Sequence, residues 1–280
     1  MPWPRRGMVP LMIDQPSPDT AASADPAPAR TDFGFREVPV AEKKKLVRGV
    51  FDSVAGKYDI MNDLMSVGIH RLWKDTLIAQ LRPRAGEHLL DVAGGTGDIA
   101  FRFLSAAGKR GSQEGAPAHV TVCDINHAML TVGRDRAIDR GILRGVEWVC
   151  GDAEQLPVPS GSVDCYTIAF GLRNVTDIDQ ALREARRVLR PGGRFMCLEF
   201  SRVALPILEK PYDFYSFEVL PRLGQWVAGD ASSYRYLAES IRRFPPQDEL
   251  VERMLAAGLE RARYRNLTGG VAAIHTGWRL

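Results

Sequence analysis

The chain has 280 residues, 45% of them hydrophobic, with 37 Lys and Arg against 34 Asp and Glu for a formal charge of +3. That length buries one good core and a small subdomain, while the weak charge and the lack of a long basic run exclude a nucleic-acid binder. No run of about 18 apolar residues is present to span a membrane, and the scattered Cys123, Cys150, Cys165 and Cys197 fit neither a disulfide scaffold nor a zinc site.

Residues 1–35 are rich in Pro, Ala, Ser and Asp without periodicity, which predicts a disordered extension. Arg5-Arg6 is followed by no adequate apolar run, and Asp14, Asp19 and Asp25 are foreign to a transit peptide, so no targeting segment is expected. Met8 and Met12 are alternative starts. With every thiol in or beside an expected strand, the composition fits a reducing, cytoplasmic setting. The five histidines show no ligand-like spacing, so no metal is expected.

From about Pro39 the pattern becomes helical, with Leu46, Val50 and Val54 on one face of 41–56. Lys43-Lys44-Lys45 on that helix reads as a solvated face. A second helix is expected over 69–81, closed by Pro83. Residues 36–84 therefore form a helical segment ahead of the first strand, read as a lid over a ligand; Met61, Met65 and Trp73 fit ordinary core packing. Strands are expected at 88–93, 120–125, 146–151, 163–170 and 194–200, with helices at 98–107, 127–140 and 177–190 between them. That alternation predicts an α/β fold with a doubly wound, Rossmann-like, mostly parallel sheet over 85–202. Residues 108–117 form a polar insert. A helical stretch over 203–258, interrupted by Pro221, Gly229 and Pro245-Pro246, precedes two closing strands in 259–280. Joined at Gly269-Gly270, those strands must be antiparallel, so an antiparallel strand is expected near the C-terminus. Residues 36–280 thus read as a single domain.

Residues 89–98, Leu-Leu-Asp-Val-Ala-Gly-Gly-Thr-Gly-Asp, organise the rest: a strand, a glycine turn and a helix start, as in a nucleotide-binding βαβ unit. The turn alone leaves two ligands open. Gly95-Thr-Gly97-Asp-Ile-Ala100 fits a dinucleotide fingerprint, but Asp91 and Asp98 would repel a pyrophosphate and suit the ammonium of S-adenosylmethionine. The other strand ends help to decide. Asp124 ends the second strand, where an acid accepts ribose hydroxyls. It stands 27 residues beyond Gly97, a spacing stretched by the polar insert. Asp152 ends the third strand, where a carboxylate accepts adenine amino hydrogens while the Ala153 amide donates to the ring. Three carboxylates at successive strand ends suit a cationic cofactor without phosphate, which favours methyl transfer over a nicotinamide oxidoreductase.

Two further stretches make the resemblance specific. Tyr58-Asp59-x-Met61-Asn62-x-x-Met65-Ser66-x-x-x-His70-x-x-Trp73 and Arg187-Val-Leu-Arg190-Pro-Gly-Gly-Arg-Phe-Met-Cys-Leu-Glu199-Phe-Ser201 match signatures of the ubiquinone/menaquinone biosynthesis C-methyltransferase family. Within the class I S-adenosylmethionine-dependent methyltransferases, the chain resembles that family over about 33–280. Arg190 replaces the usual Lys and keeps its charge. Ala169 replaces a frequent Ser, which removes a hydroxyl contact. The resemblance implies cofactor contacts at Thr96, Asp124, Asp152 and Ala153, beside Asp91 and Gly94 of the cofactor loop.

It also implies C-methylation of a polyprenylated quinol: demethylmenaquinol, 2-polyprenyl-6-methoxy-1,4-benzoquinol, or both. The runner-up is a class I methyltransferase acting on another small acceptor. A reduced ring is required because a quinone carbon is too electron-poor to attack a methyl sulfonium. Following the fourth strand, Arg173 is expected to stabilise the developing phenolate and Asn174 to orient the hydroxyl or a water. The competing expectation pairs Arg173 with a carboxylate such as Asp177. Tyr58, Asp59 and His70 are secondary candidates for lid or proton-transfer roles. The large apolar groups of 203–228 suit a channel for the prenyl tail, peripheral contact with the inner face of a membrane, or plain core. Oligomeric state is left open.

Overall fold

Alternating apolar strands and amphipathic helices demand a sheet covered on both faces, and the computed structural model of the chain has that architecture. It describes residues 30–54, 63, 66, 68–110, 116–204, 207, 212, 214–228 and 231–280. The described chain opens with a hairpin of β1 (Arg30–Phe33) and β2 (Arg36–Pro39), which runs into helix α1 (Val40–Val54). Helix α2 (His70–Leu81) leads to β3 (His88–Val92), α3 (Asp98–Arg110), β4 (His119–Asp124), α4 (His127–Asp139) and β5 (Val146–Cys150). Then come β6 (Val163–Ala169), α5 (Ile178–Val188) and β7 (Leu189–Phe200). A π-helical turn (Tyr215–Val219) opens the run of α6 (Leu220–Ala228), α7 (Ala231–Arg243) and α8 (Gln247–Ala256), and β8 (Glu260–Leu267) and β9 (Ala272–Trp278) close the chain.

The large sheet has the order β5-β4-β3-β6-β7-β9-β8. Strands β3 to β7 pair in parallel, and β9 lies antiparallel between β7 and β8. Strand order reverses at the neighbours β3 and β6, and such a reversal opens a crevice beyond their carboxyl ends. Side chains alternate across the sheet. Leu89 packs with Trp73, Leu77 and Phe103, whereas Leu90 and Val92 belong with Tyr166, Leu182 and Val188. Burial of both faces is why the strands read as near-continuous apolar runs.

Two boundaries differ from expectation. The disordered extension was expected to reach 35, yet residues 30–33 pair with 36–39, and Phe33 stacks on Tyr236 at 4.2 Å. Strands of four residues are too short for alternation to register in the sequence. Strand β7 begins at Leu189, before 194, because Leu189 pairs with Val163 ahead of a register shift that accommodates Pro191 and its glycines. Arg190 is therefore a strand residue, paired with Asp164. Expectations for residues 1–29, Tyr58, Asp59, Met61, Asn62, Met65, 111–115, Leu205, Leu208 and Gly229 lie outside the described residues.

Candidate functional site

Strand β3 carries Asp91 to the crevice, and the chain must turn at once to begin α3. Ala93 adopts a left-handed φ of 50°. Gly94 runs so close to the strand that a Cβ there would stand 2.8 Å from Asp91 Oδ2 and 2.7 Å from Val122 Cγ1. The Thr167 hydroxyl donates to Asp91 Oδ1 at 2.8 Å, while Oδ2 has no hydrogen-bond partner among the described residues. Burial pushes the Asp91 carboxyl up to about 7. Asp98, by contrast, accepts from Lys74 Nζ at 2.9 Å and Arg102 Nε at 3.2 Å. Its charge is spent inside the protein, so the repulsion of a pyrophosphate expected from it is muted.

Strand β4 delivers Asp124, whose Oδ2 accepts from the Gly95 N–H at 2.9 Å and Oδ1 from the Asn126 N–H at 2.8 Å. Asn126 in turn caps α4 by accepting from the Met129 N–H at 3.1 Å. Burial pushes the Asp124 carboxyl up to about 6. Beyond β5, Asp152 accepts from the Glu154 N–H at 2.9 Å and from Lys44 Nζ at 2.6 Å. Lys44 also reaches Glu154 at 3.0 Å. Since Lys44 belongs to α1, that helix is tied across the crevice to the loop after β5.

At the end of β6, Phe170 has a φ of 57°. A Cβ at Gly171 would lie 2.4 Å from the Cβ of Ala93, so the two strand ends touch with no space for a side chain. Left-handed backbone at both ends, outside glycine, is the kind of local strain that collects at functional sites. Residues Leu172–Asn174 then form a 3-10 turn. Arg173 folds back, donating from Nη1 to Phe170 O at 2.5 Å and to Glu199 Oε1 at 2.7 Å. Both side chains of this pair are 1% exposed. Burial pushes the Glu199 carboxyl up, and Arg173 with the N–H groups of Phe200 and Arg173 opposes it.

The carboxylate that Arg173 meets is Glu199 on the neighbouring strand β7, reached from Nη1, and not Asp177, while Nε has no hydrogen-bond partner among the described residues. Asp177 instead caps α5 by accepting from the Gln180 N–H at 2.9 Å. Asn174 accepts from the Tyr236 hydroxyl at 3.0 Å.

These elements line an open cleft. Of the expected site residues, Asp124, Asp152, Ala153 and Asn174 line it, together with Gly95. Asp91, Gly94, Thr96 and Arg173 lie outside its lining. Thr96 is buried and accepts from Arg136 Nη1 at 3.1 Å. His70 is also away from the cleft, 3.0 Å from the Ser66 hydroxyl, and burial pushes its imidazole down to about 4. The wall formed by Lys44, Val47, Arg48 and Phe51 of α1 was legible only as a generic lid. Its one signal is the apolar pair Val47 and Phe51, four residues apart, next to a lysine read as solvated.

The sequence model of the ubiE/COQ5 methyltransferase family matches residues 38–279. A protein of Brucella anthropi called ubiquinone/menaquinone biosynthesis C-methyltransferase UbiE is 56% identical over 250 residues, covering 89% of this chain and 92% of its own. Its namesake in Brucella abortus is 56% identical over 250 residues, covering 89% and 90%. Among solved structures, the (4+2)-cyclase SpnF has a TM-score of 0.57 at 23% identity and covers 81% of this chain and 76% of its own. A methyltransferase dependent on S-adenosylmethionine from Aquifex aeolicus has a TM-score of 0.52 at 16% identity, covering 74% and 89%. The structural likenesses establish the fold alone, and the cyclase among them shows that this fold does not dictate one reaction.

Proposed function

Because the chain belongs to the ubiE/COQ5 methyltransferase family, we propose that it catalyses S-adenosylmethionine-dependent C-methylation of a polyprenylated quinol in respiratory quinone biosynthesis. The observation that carries this reading is the pair of carboxylates Asp124 and Asp152 lining one cleft at the ends of β4 and β5, with Asp91 buried behind the glycine turn at the end of the adjacent β3.

The residues present fit S-adenosylmethionine. Each Asp124 oxygen takes one backbone N–H, which leaves lone pairs for two hydroxyls. Asp91 keeps a buried oxygen without a partner among the described residues, a negative site behind the turn that a cationic ligand satisfies. Gly94 lets the turn pass this close to Asp91, where a Cβ would stand 2.8 Å from Oδ2. When bound, the cofactor supplies a methyl group made electrophilic by its sulfonium.

In this proposal the remaining work falls to the chain. Asp152 and Ala153 hold the adenine, and Val47 and Phe51 of α1 exclude water from the cleft. Asn174 orients the quinol oxygen beside the attacking ring carbon. Arg173 serves as a positioning residue, since its ion pair with Glu199 fixes the turn that carries Asn174. Ile207, Phe214 and Trp226 are largely exposed on the helical segment after β7 and offer apolar contact to the inner face of a membrane, where prenylated acceptors reside. Among the described residues no helix is long and apolar enough to cross a bilayer, so such contact would be peripheral.

The direct test offers the purified protein labelled S-adenosylmethionine with demethylmenaquinol or the benzoquinol precursor, each with and without reductant. Ring-carbon label that depends on reduction is expected. Cofactor binding without label on either acceptor would remove the lipid-quinol assignment and leave the fold.

A further inference from the structure

Tyr236 lies on α7, far in sequence from the glycine turn, and belongs to none of the motifs above. Its side chain is buried, with its ring stacked on Phe33 at 4.2 Å and an interplanar angle of 20°. That stack leaves the hydroxyl little freedom. It donates to Asn174 Oδ1 at 3.0 Å, and Asn174 lines the cofactor cleft. A carboxamide has one acceptor end and one donor end. With Oδ1 engaged by Tyr236, the N–H2 is the end of this cleft-lining side chain that remains to donate. The backbone also restrains Asn174, whose N–H donates to Gly171 O at 3.1 Å at the end of the 3-10 turn. Burial pushes the Tyr236 phenol up to about 12, so it remains a neutral donor at every working pH.

We propose that Tyr236 is a positioning residue for methyl transfer, holding the Asn174 carboxamide so that its N–H2, and not its oxygen, meets the acceptor-ring oxygen. Negative charge appears on that oxygen when the quinol hydroxyl releases its proton to water; the ring carbon then attacks the methyl as the S–CH3 bond breaks, and the ring carbon's own proton leaves to restore the aromatic ring. A donor on the oxygen favours the phenolate that this attack needs, and an acceptor opposes it. The arrangement also explains why Phe33 is buried. The β1–β2 hairpin supplies the floor on which the tyrosine ring rests, linking the start of the described chain to the site. The inference rests on the quinol methyltransferase reading, and the test separates the two.

The experiment measures kcat, acceptor KM, cofactor Kd and melting temperature for wild type, Tyr236→Phe, Asn174→Ala, Asn174→Asp and the Tyr236→Phe/Asn174→Ala double variant. Removing one aimed donor costs roughly 100-fold or more in kcat, which is expected for Asn174→Ala. Tyr236→Phe keeps the ring stack and should lose about tenfold in kcat, with cofactor Kd unchanged, as fits misorientation of that donor. In the Asn174→Ala background the Tyr236→Phe change should have no further effect. Asn174→Asp still accepts from Tyr236 but presents no N–H2, so it should be as slow as Asn174→Ala. That arm does not depend on how Tyr236→Phe folds. A Tyr236→Phe enzyme at wild-type kcat, a loss that persists in the double variant, or an active Asn174→Asp enzyme would each overturn the proposal. A wild-type protein that methylates neither quinol would instead overturn the functional reading beneath it.

Discussion

Glu199→Gln is the sharpest probe of the turn that carries Asn174. The substitution keeps the shape of the side chain and its capacity to accept from Arg173, but removes the charge. It leaves the Arg173 guanidinium buried, both side chains of the pair being 1% exposed, with only neutral partners. Removing one member of a buried ion pair costs about 3–5 kcal/mol. For a chain of this size each kcal/mol lowers the melting temperature by about 2–4 °C, so a drop of roughly 6–20 °C is expected by thermal denaturation. Arg173→Ala should destabilise by a similar amount with a different pH signature. Burial already raises the Glu199 carboxyl, and without the guanidinium that opposes it the folded-state pKa climbs further. A folded-state pKa above the unfolded value means the native state binds the extra proton, so stability falls as pH rises. Arg173→Ala should therefore regain stability on acidification, whereas Glu199→Gln, whose remaining charge does not titrate, should not. Kinetics below the melting range complete the test. If Arg173 acted directly on a phenolate, release from Glu199 would preserve or raise kcat; as a positioning residue it should lose kcat. A Glu199→Gln protein that melts within about 3 °C of wild type and keeps full turnover would refute the assignment.

Gly171→Ala places a Cβ 2.4 Å from Ala93 Cβ, and neither atom can rotate away. It should cost about 1–3 kcal/mol of stability and weaken cofactor binding by at least about tenfold, measured by melting and by titration; wild-type affinity would contradict the close approach of the two strand ends. Lys44→Met removes the ammonium that lies 2.6 Å from Asp152 Oδ2. This half-exposed pair is worth about 0.5–1 kcal/mol, so cofactor affinity should tighten by about two- to fivefold, and an unchanged or weaker Kd would show that Lys44 does not compete for Asp152. With Asp91 pushed up to about 7 and Asp124 to about 6, these carboxylates gain protons as pH falls through that range. A cation prefers them ionised, so cofactor affinity should decline from pH 8 to 5.5, and calorimetry at pH 6 in two buffers should detect proton release; a Kd independent of pH would refute this coupling.

What the sequence reveals follows the physics of each feature. Strands buried on both faces write themselves as apolar runs, which made the parallel sheet and its order of elements readable. The β1–β2 hairpin carries only Phe33 as a buried apolar anchor and left no pattern. Carboxylates at strand ends were readable as a set because a parallel sheet delivers every such end to one edge. How each charge is spent was not readable, since the partners arrive from other elements. Asp98 is neutralised by Lys74 of α2, and Asp152 by Lys44 of α1.

The partner of Arg173 is legible in the strand that ends at Phe200. Asp177 is close in sequence, yet an acid just ahead of a helix is more useful there as a cap. Glu199 stands in the run Phe195-Met-Cys-Leu-Glu-Phe200, a lone charge inside an apolar strand whose neighbours are all buried. A charge in that setting must find a cation, because an unpaired buried carboxylate costs too much to keep. Strand β7 lies between β6 and β9, and the turn at the end of β6 brings a basic residue beside Glu199. Arg173 is the basic residue in that turn. The pairing rule and the βαβ topology together point to the Arg173–Glu199 pair, beside which Asn174 lines the cleft.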